Sequence, residues 1–509
     1  MSRSLGVIQQ CGALLLIGAL VSLTCKRGQS ARSLEDQLNL LPEGTEDFLV
    51  VRDLAPVFEM LRAVKHGAVV LQRDGADVLE FVSSQDPNLT HADDVRRGAE
   101  RTAAGVDAIL TSGIEPGKGL VAGSTGSSSF LLVGAKDLEP LKRLATAIGE
   151  DPAEVDRICR QLAAPSGWVG CFREGDLMAN YQPANRGKER LTELTQSGPV
   201  VKGDLVAARF PVSGRMQTTG VSFDAKAWHL RSNGAAVNSL DFLAPAPASA
   251  LRDAFPDSLT LWANFSRDGV NQRLAPHVPA MAQALFNSVT GEVSFSSTSD
   301  KSLALRLGVS NPAPFEGLLL MGIPLLSPRV QDPAVLAALR LSSIDLQAAT
   351  VQAGDRSVTV AHATVTSPTA TDSMAMGIKP ELTVFAGGGY VTAEWGAGLA
   401  AVESHVENTS TGANGAWLRT VPPTLAADLE ANRVSMLTHL TLERWANVEL
   451  PETTAQTPEA RHAQEQALKV WRSAFAPFGP LSVWLSHDES QATAHLVLPM
   501  RKYDRVSED

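Results

Sequence analysis

The sequence is poor in the residues that build reactive centres. Only 4 cysteines occur in 509 residues, and two of them, Cys11 and Cys25, lie in or beside the N-terminal apolar run. The 10 histidines never fall at His-x-x-x-His spacing, so no helical metal pair is encoded. Lys and Arg total 44 against 55 Asp and Glu, a net charge of −11 with no basic cluster after the leader, which argues against nucleic acid as a partner because phosphate binding needs a basic surface. No apolar run reaches the roughly 20 residues that span a bilayer. Gly113 and Gly117-Lys118-Gly119 lack the spacing of a phosphate loop and the Ser or Thr after its lysine. What remains, 44% hydrophobic and 19% charged residues, is the composition of a folded chain. Its length implies two to four domains.

Cys11 to Thr24 form an uninterrupted apolar run, with Arg3 before it and Cys25-Lys26-Arg27 after it. Its length suits the hydrophobic region of a secretory signal. Residues 1–27 therefore read as a signal peptide or an N-terminal anchor, and the protein as exported to the periplasm or cell envelope. Cys25 stands where a lipidated cysteine would, although Ser22-Leu23-Thr24 departs from the Leu and small residue expected before it. Cleavage, lipidation at Cys25 and retention as an anchor all stay open. Residues 28–40 read as a polar tether. In an exported chain the remaining pair, Cys159 and Cys171, reads as a disulfide. Cys159 is expected on a helix opened by Asp151-Pro152, and Cys171 on the strand Gly167 to Phe172, so the bridge would pin that helix to the sheet.

The fold class is expected to be α+β, with largely antiparallel sheets, packed helices and two related halves at 41–241 and 251–500. A Pro- and Ala-rich linker at 242–250 separates them, and 501–509 form a tail. The repeated phrase is a strand followed by an Asp-capped helix. Asp47 to Arg52 lead into Asp53-Leu54-Ala55-Pro56, and Ser127 to Gly134 lead into Asp137-Leu138-Glu139-Pro140. From Asp53 to Asp137 is too long a period for a solenoid or propeller repeat. A looser copy begins at Phe255 and opens a long helix from Arg267 to about Asn287, and Asp332-Pro333 starts another. Alternating runs at 200–212, 291–298, 303–309, 344–351 and 358–365 read as half-buried antiparallel strands. A helix from Pro458 to Phe475 precedes a hairpin whose Leu481, Val483 and Leu485 would face the core, with Trp484 and His495 on the opposite face.

Candidate chemistry is sparse. Ala122-Gly123-Ser124-Thr125-Gly126 resembles a nucleophile elbow, but that elbow needs a helix directly after the serine and a strand follows. Ser124 is the candidate for a serine hydrolase, with a hairpin loop as the plainer reading. Trp395-Gly396-Ala397-Gly398-Leu399-Ala400-Ala401 fits a dinucleotide turn only if a parallel βαβ unit surrounds it, and reads instead as a sheet corner. His487-Asp488-Glu489 reads as a solvated turn, and His405 with Glu403 and Glu407 as an exposed helix face. No cofactor and no metal site are expected.

Taken together, the leader, the strand–Asp–helix units and the cysteine pair resemble a loose group of uncharacterised exported bacterial proteins, many of them predicted lipoproteins. That resemblance brings no activity with it. The expected function is an envelope-associated, non-catalytic protein that binds a protein, peptide or lipid partner. The alternative is an exported hydrolase using Ser124.

Overall fold

The computed structural model describes most residues between 33 and 501. Residues 1–32, 502–509 and several internal stretches, chiefly 86–91, 252–258, 367–380, 403–420 and 442–457, lie outside the described residues. Cys25 and the leader fall there, as do His405, Glu403, Glu407 and Glu489. The described strands number 18, every pairing is antiparallel, and the helices pack on them, so the chain is α+β as expected.

Two compact units divide the chain. The first comprises residues 1–238, 459–479 and 491–509. It opens with α1 (Leu34–Leu38), where a reciprocal capping box between Ser33 and Asp36 satisfies the first amides. Part of the expected tether is therefore core: Leu34, Leu38 and Leu40 are buried, as is Leu41 just after it. Its strands are β1 (Asp47–Val51), β2 (Leu120–Thr125), β3 (Ser128–Gly134), β4 (Cys159–Gln161), β5 (Trp168–Arg173), β6 (Val206–Val212), β7 (Arg215–Asp224) and β8 (Ala227–Gly234), completed by β18 (Ala492–Pro499). Their pairings run β4-β5-β3-β2-β1-β6-β7-β8-β18.

The helices of this unit are α2 (Ala55–Gln85), α3 (Ala92–Thr111), α4 (Glu139–Ala147), α5 (Pro152–Ile158), α6 (Leu177–Asn180) and α7 (Gly187–Ser197). The aspartates that precede four helices of the chain act as the sequence implies. Asp53, Asp137, Asp151 and Asp332 each accept a hydrogen bond from the backbone N–H two residues on, at 2.8–3.0 Å. Two apolar cores result. Phe48, Val50, Val121, Phe130 and Leu132 pack with Leu34, Leu38, Leu191 and Leu194 of α1 and α7. On the other face, Val133 and Val169 meet Leu141, Ala145 and Val155 of α4 and α5.

The second unit comprises residues 239–458 and 480–490. Its strands are β9 (Thr260–Asn264), β10 (Val289–Ser297), β11 (Leu303–Val309), β12 (Ser343–Ala353), β13 (Arg356–Thr366), β14 (Glu381–Gly387), β15 (Tyr390–Trp395), β16 (Val434–Leu440) and β17 (Leu481–His487). They pair in the order β12-β13-β14-β15-β11-β10-β9-β16-β17. The helices are α8 (Gln283–Ser288), α9 (Ala313–Val330), α10 (Pro333–Ala338) and α11 (Pro423–Glu430), and α12 (Pro458–Phe475) follows. The long helix expected from Arg267 is not continuous: a 3-10 turn at Ala275–His277 intervenes before α8. Pro276 and Pro279 each remove a helical N–H there.

The expected halves are contiguous in sequence, whereas the units are not. α12 and β18 belong with residues 1–238, where His66 and Val70 of α2 meet Ser473, Val470 and Ala474 of α12.

Candidate functional site

The disulfide is present, with a correction to its setting. Cys159 and Cys171 stand at bonding distance, 2.09 Å between sulfurs. Cys159 is not on the helix: α5 ends at Ile158 and Cys159 opens β4, directly opposite Cys171 of β5. The bridge therefore staples two neighbouring strands, one of them a three-residue edge.

Ser124 lies inside β2 and donates its hydroxyl to Asp47 of β1, its cross-strand partner. Gly123 beside it is required by packing, because a Cβ there would stand 2.5 Å from the Asp47 carbonyl oxygen. A turn at Gly126 (φ 56°) leads into β3 and not into a helix. The strand–turn–helix geometry of a nucleophile elbow is thus not what surrounds Ser124. Gly396, with φ 92°, makes the corner after β15 and donates its N–H to the Glu381 carbonyl at 2.8 Å.

The second unit turns its sheet the opposite way from the expectation at the hairpin. Ser482, Trp484 and Ser486 are buried and Leu481 and Val483 are partly exposed, while Leu485 is buried as expected. The same inversion runs across eight strands. His362, Thr383, Glu394, Ala304, Ser296, Thr260, His439 and Ser482 are successive cross-strand partners on one face. All but His362 are buried.

Hydrogen bonds within the unit satisfy part of this polar layer, while the Thr260, Ser294 and Ser296 hydroxyls are buried without a hydrogen-bond partner among the described residues. Trp262 Nε1 and Tyr390 Oη donate to the two oxygens of Glu292, both at 2.7 Å. Trp484 Nε1 donates to Asp428 at 2.8 Å, and Arg433 holds the other Asp428 oxygen at 2.6 Å. Two Ser–His pairs bridge β16 and β17: Ser435 with His487 at 2.7 Å and His439 with Ser482 at 2.8 Å. Burial holds the His487 imidazole below its usual range, which keeps it neutral. Both serines are fully buried, so neither hydroxyl is presented to a substrate. Among the described residues, no group of three His, Cys, Asp or Glu side chains is placed to hold a metal.

The surface carries the more unusual feature. α9 has 18 residues, Ala-Pro-Phe-Glu-Gly-Leu-Leu-Leu-Met-Gly-Ile-Pro-Leu-Leu-Ser-Pro-Arg-Val, and packs against β12, β13 and β14. A helix lying on a sheet ordinarily turns polar residues outward. In α9 no charge occurs between Glu316 and Arg329, and only Ile323 is buried. Leu318, Leu320, Met321, Leu325 and Leu326 are 50–71% exposed. Leu318, Met321 and Leu325 follow the i, i+3, i+7 spacing of one helical face, so they form a continuous outward ridge. Pro324 and Pro328 interrupt the helix without ending it. The sequence signal for this helix is the run Leu318 to Leu326. Its apolar residues leave no polar stripe at helical period, so a search for amphipathic pattern passes over it.

No family model matches the chain, and no curated protein or solved structure matches it. The class that the fold defines is an antiparallel α+β protein of two units, and the feature that asks for a partner is the α9 ridge.

Proposed function

We propose that this is an exported, envelope-associated, non-catalytic protein that binds an apolar surface through the outer ridge of α9, and that this surface is lipid. The ridge is the observation that carries the reading. Burying a large aliphatic side chain is worth about 1.5–3 kcal/mol. Five half-exposed ones then offer on the order of 5 kcal/mol, comparable to one myristoyl chain, which alone gives only marginal membrane attachment. A second attachment is needed, and the N-terminal apolar segment, retained as an anchor or replaced by lipid on Cys25, would supply it. Neither the uncharged middle of α9 nor the net charge of −11 attracts anionic headgroups. Binding is therefore expected on zwitterionic vesicles and expected to be insensitive to salt.

The test is flotation of the chain from Ser33 onward with phosphatidylcholine vesicles, comparing it with a Leu318→Ser/Met321→Ser/Leu325→Ser variant. The ridge without the N-terminal segment binds reversibly, so a fraction of the parent should float and the variant should stay at the bottom. Equal flotation of both would remove the ridge from the mechanism. No feature around Ser124 favours the hydrolase reading, and a serine-directed fluorophosphonate probe should leave the protein unlabelled.

We further propose that the two units derive from one duplicated ancestor. The support is their pairing pattern. β1 pairs with β2 and β6 as β9 pairs with β10 and β16, β2 pairs with β3 as β10 pairs with β11, and β6 pairs with β7 as β16 pairs with β17.

A further inference from the structure

We infer that the free edge of β12 is an interface with a second copy of this chain. β12 is 11 residues long, Ser-Ile-Asp-Leu-Gln-Ala-Ala-Thr-Val-Gln-Ala, about twice the common strand length. β13 pairs with it along its whole length. Among the described residues no strand pairs with its other edge, and only the Gln331 side chain reaches it, donating to the Ile344 carbonyl at 3.4 Å.

Natural edges are kept from pairing by shortness, proline, lysine or bulges. β12 has none of these: no proline, no lysine or arginine, one charge at Asp345, and an unbroken register with β13. β17, at the other end of this pairing order, is shorter, at 7 residues. An open row of backbone donors and acceptors calls for another extended chain.

A second β12 satisfies it. Antiparallel pairing with full overlap of Ser343–Ala353 puts Ala348 on the two-fold axis. Gln347 then faces Ala349 of the other copy, Leu346 faces Thr350, and Asp345 faces Val351, so no like charges meet. Small side chains occupy the centre, at Ala348, Ala349 and Thr350, where two strands backed by helices approach. The contact is isologous and closes at two copies.

The two-fold axis of such a pair is perpendicular to the sheet, so both α9 helices lie on the same side of the merged sheet. Their outward ridges then face one direction, and two wedges are offered to one flat surface. The dimer itself does not depend on the lipid reading, since it follows from the strand edge.

The test is the mass of the purified protein by light scattering after gel filtration, with an Ala348→Lys/Thr350→Lys variant. Ala348 and Thr350 are exposed, so the variant keeps its fold, which circular dichroism verifies. The parent should elute as a dimer and the variant as a monomer, and Ala348→Cys should form an intermolecular disulfide on oxidation. A monomeric parent at micromolar concentration, or a lysine variant that remains dimeric, would overturn the inference. A monomeric parent that instead pairs β12 with an extended peptide of another protein would also overturn it. A dimer that fails to float with vesicles would leave the interface standing and sink only the lipid reading.

Discussion

At the scale of single residues, the clearest consequences concern the cysteine pair and the buried imidazoles. Closing a loop of 12 residues contributes about 3 kcal/mol in the chain-entropy model. Cys159→Ala/Cys171→Ala, or reduction, should lower the urea stability of the first unit by about that amount, and the chain from Ser33 onward, whose cysteines are Cys159 and Cys171, should resist alkylation until reduced. Burial keeps His66 and His487 below the ordinary histidine range, His66 against the opposing effect of its bond to the Ser473 carbonyl. The depressed folded value sets the sign. Near pH 8 both imidazoles are neutral folded or unfolded and contribute nothing. As pH falls below about 6.5 the unfolded chain takes up protons that the fold refuses, so stability drops by up to about 1.4 kcal/mol per pH unit for each group. The urea midpoint should be flat from pH 8 to 7 and fall towards pH 5, and a His66→Gln/His487→Gln variant should show a shallower fall. Asp53, Asp137, Asp151 and Asp332 were legible as helix caps because the capping bond is local. The place of Trp484 was not, since its partner Asp428 stands 56 residues away.

Among elements, local pattern and tertiary outcome part company in a consistent way. Strands such as β11 and β13 were legible because alternation at period two is written in the residues themselves. Which face turns inward is not written there. In the second unit the polar face is buried, with Glu292 bonded by Trp262 and Tyr390 and His439 paired with Ser482, while Leu261 and Leu305 stay 40% and 49% exposed on the other side. α9 escaped notice for a related reason: a helix apolar on every side has no amphipathic signature. Its hold on the sheet is correspondingly narrow. Ile323 is its one buried side chain, and truncating a core isoleucine to alanine costs about 2–5 kcal/mol when the cavity does not collapse. Ile323→Ala should therefore speed amide hydrogen exchange across 313–330 selectively. Amides of β1 to β3 should keep their protection, and equal loosening in both places would mean that α9 is not a separately held element.

For the whole molecule, the two compact units interleave along the chain, because α12 and β18 find their partners in the first unit. No reading of linkers shows that, as it depends on contacts between distant parts of the sequence, such as His66 with Ser473 and Leu230 with Leu496. The ridge and the β12 edge meet at this scale. One ridge is worth about one lipid chain and binds reversibly, whereas two ridges on one side of a dimer convert the second insertion into an intramolecular event. Linked binding of this kind raises apparent affinity by about 10²–10⁴ without any new contact. The Ala348→Lys/Thr350→Lys monomer, with its ridge intact, should thus bind phosphatidylcholine vesicles about 10²-fold more weakly than the parent, or weaker still. The Leu318→Ser/Met321→Ser/Leu325→Ser variant should lose binding in either background. Titration of vesicles against the three proteins, each begun at Ser33, reads both effects. If monomer and dimer bind equally while the ridge variant fails, each α9 acts alone and the β12 interface serves to protect the strand edge.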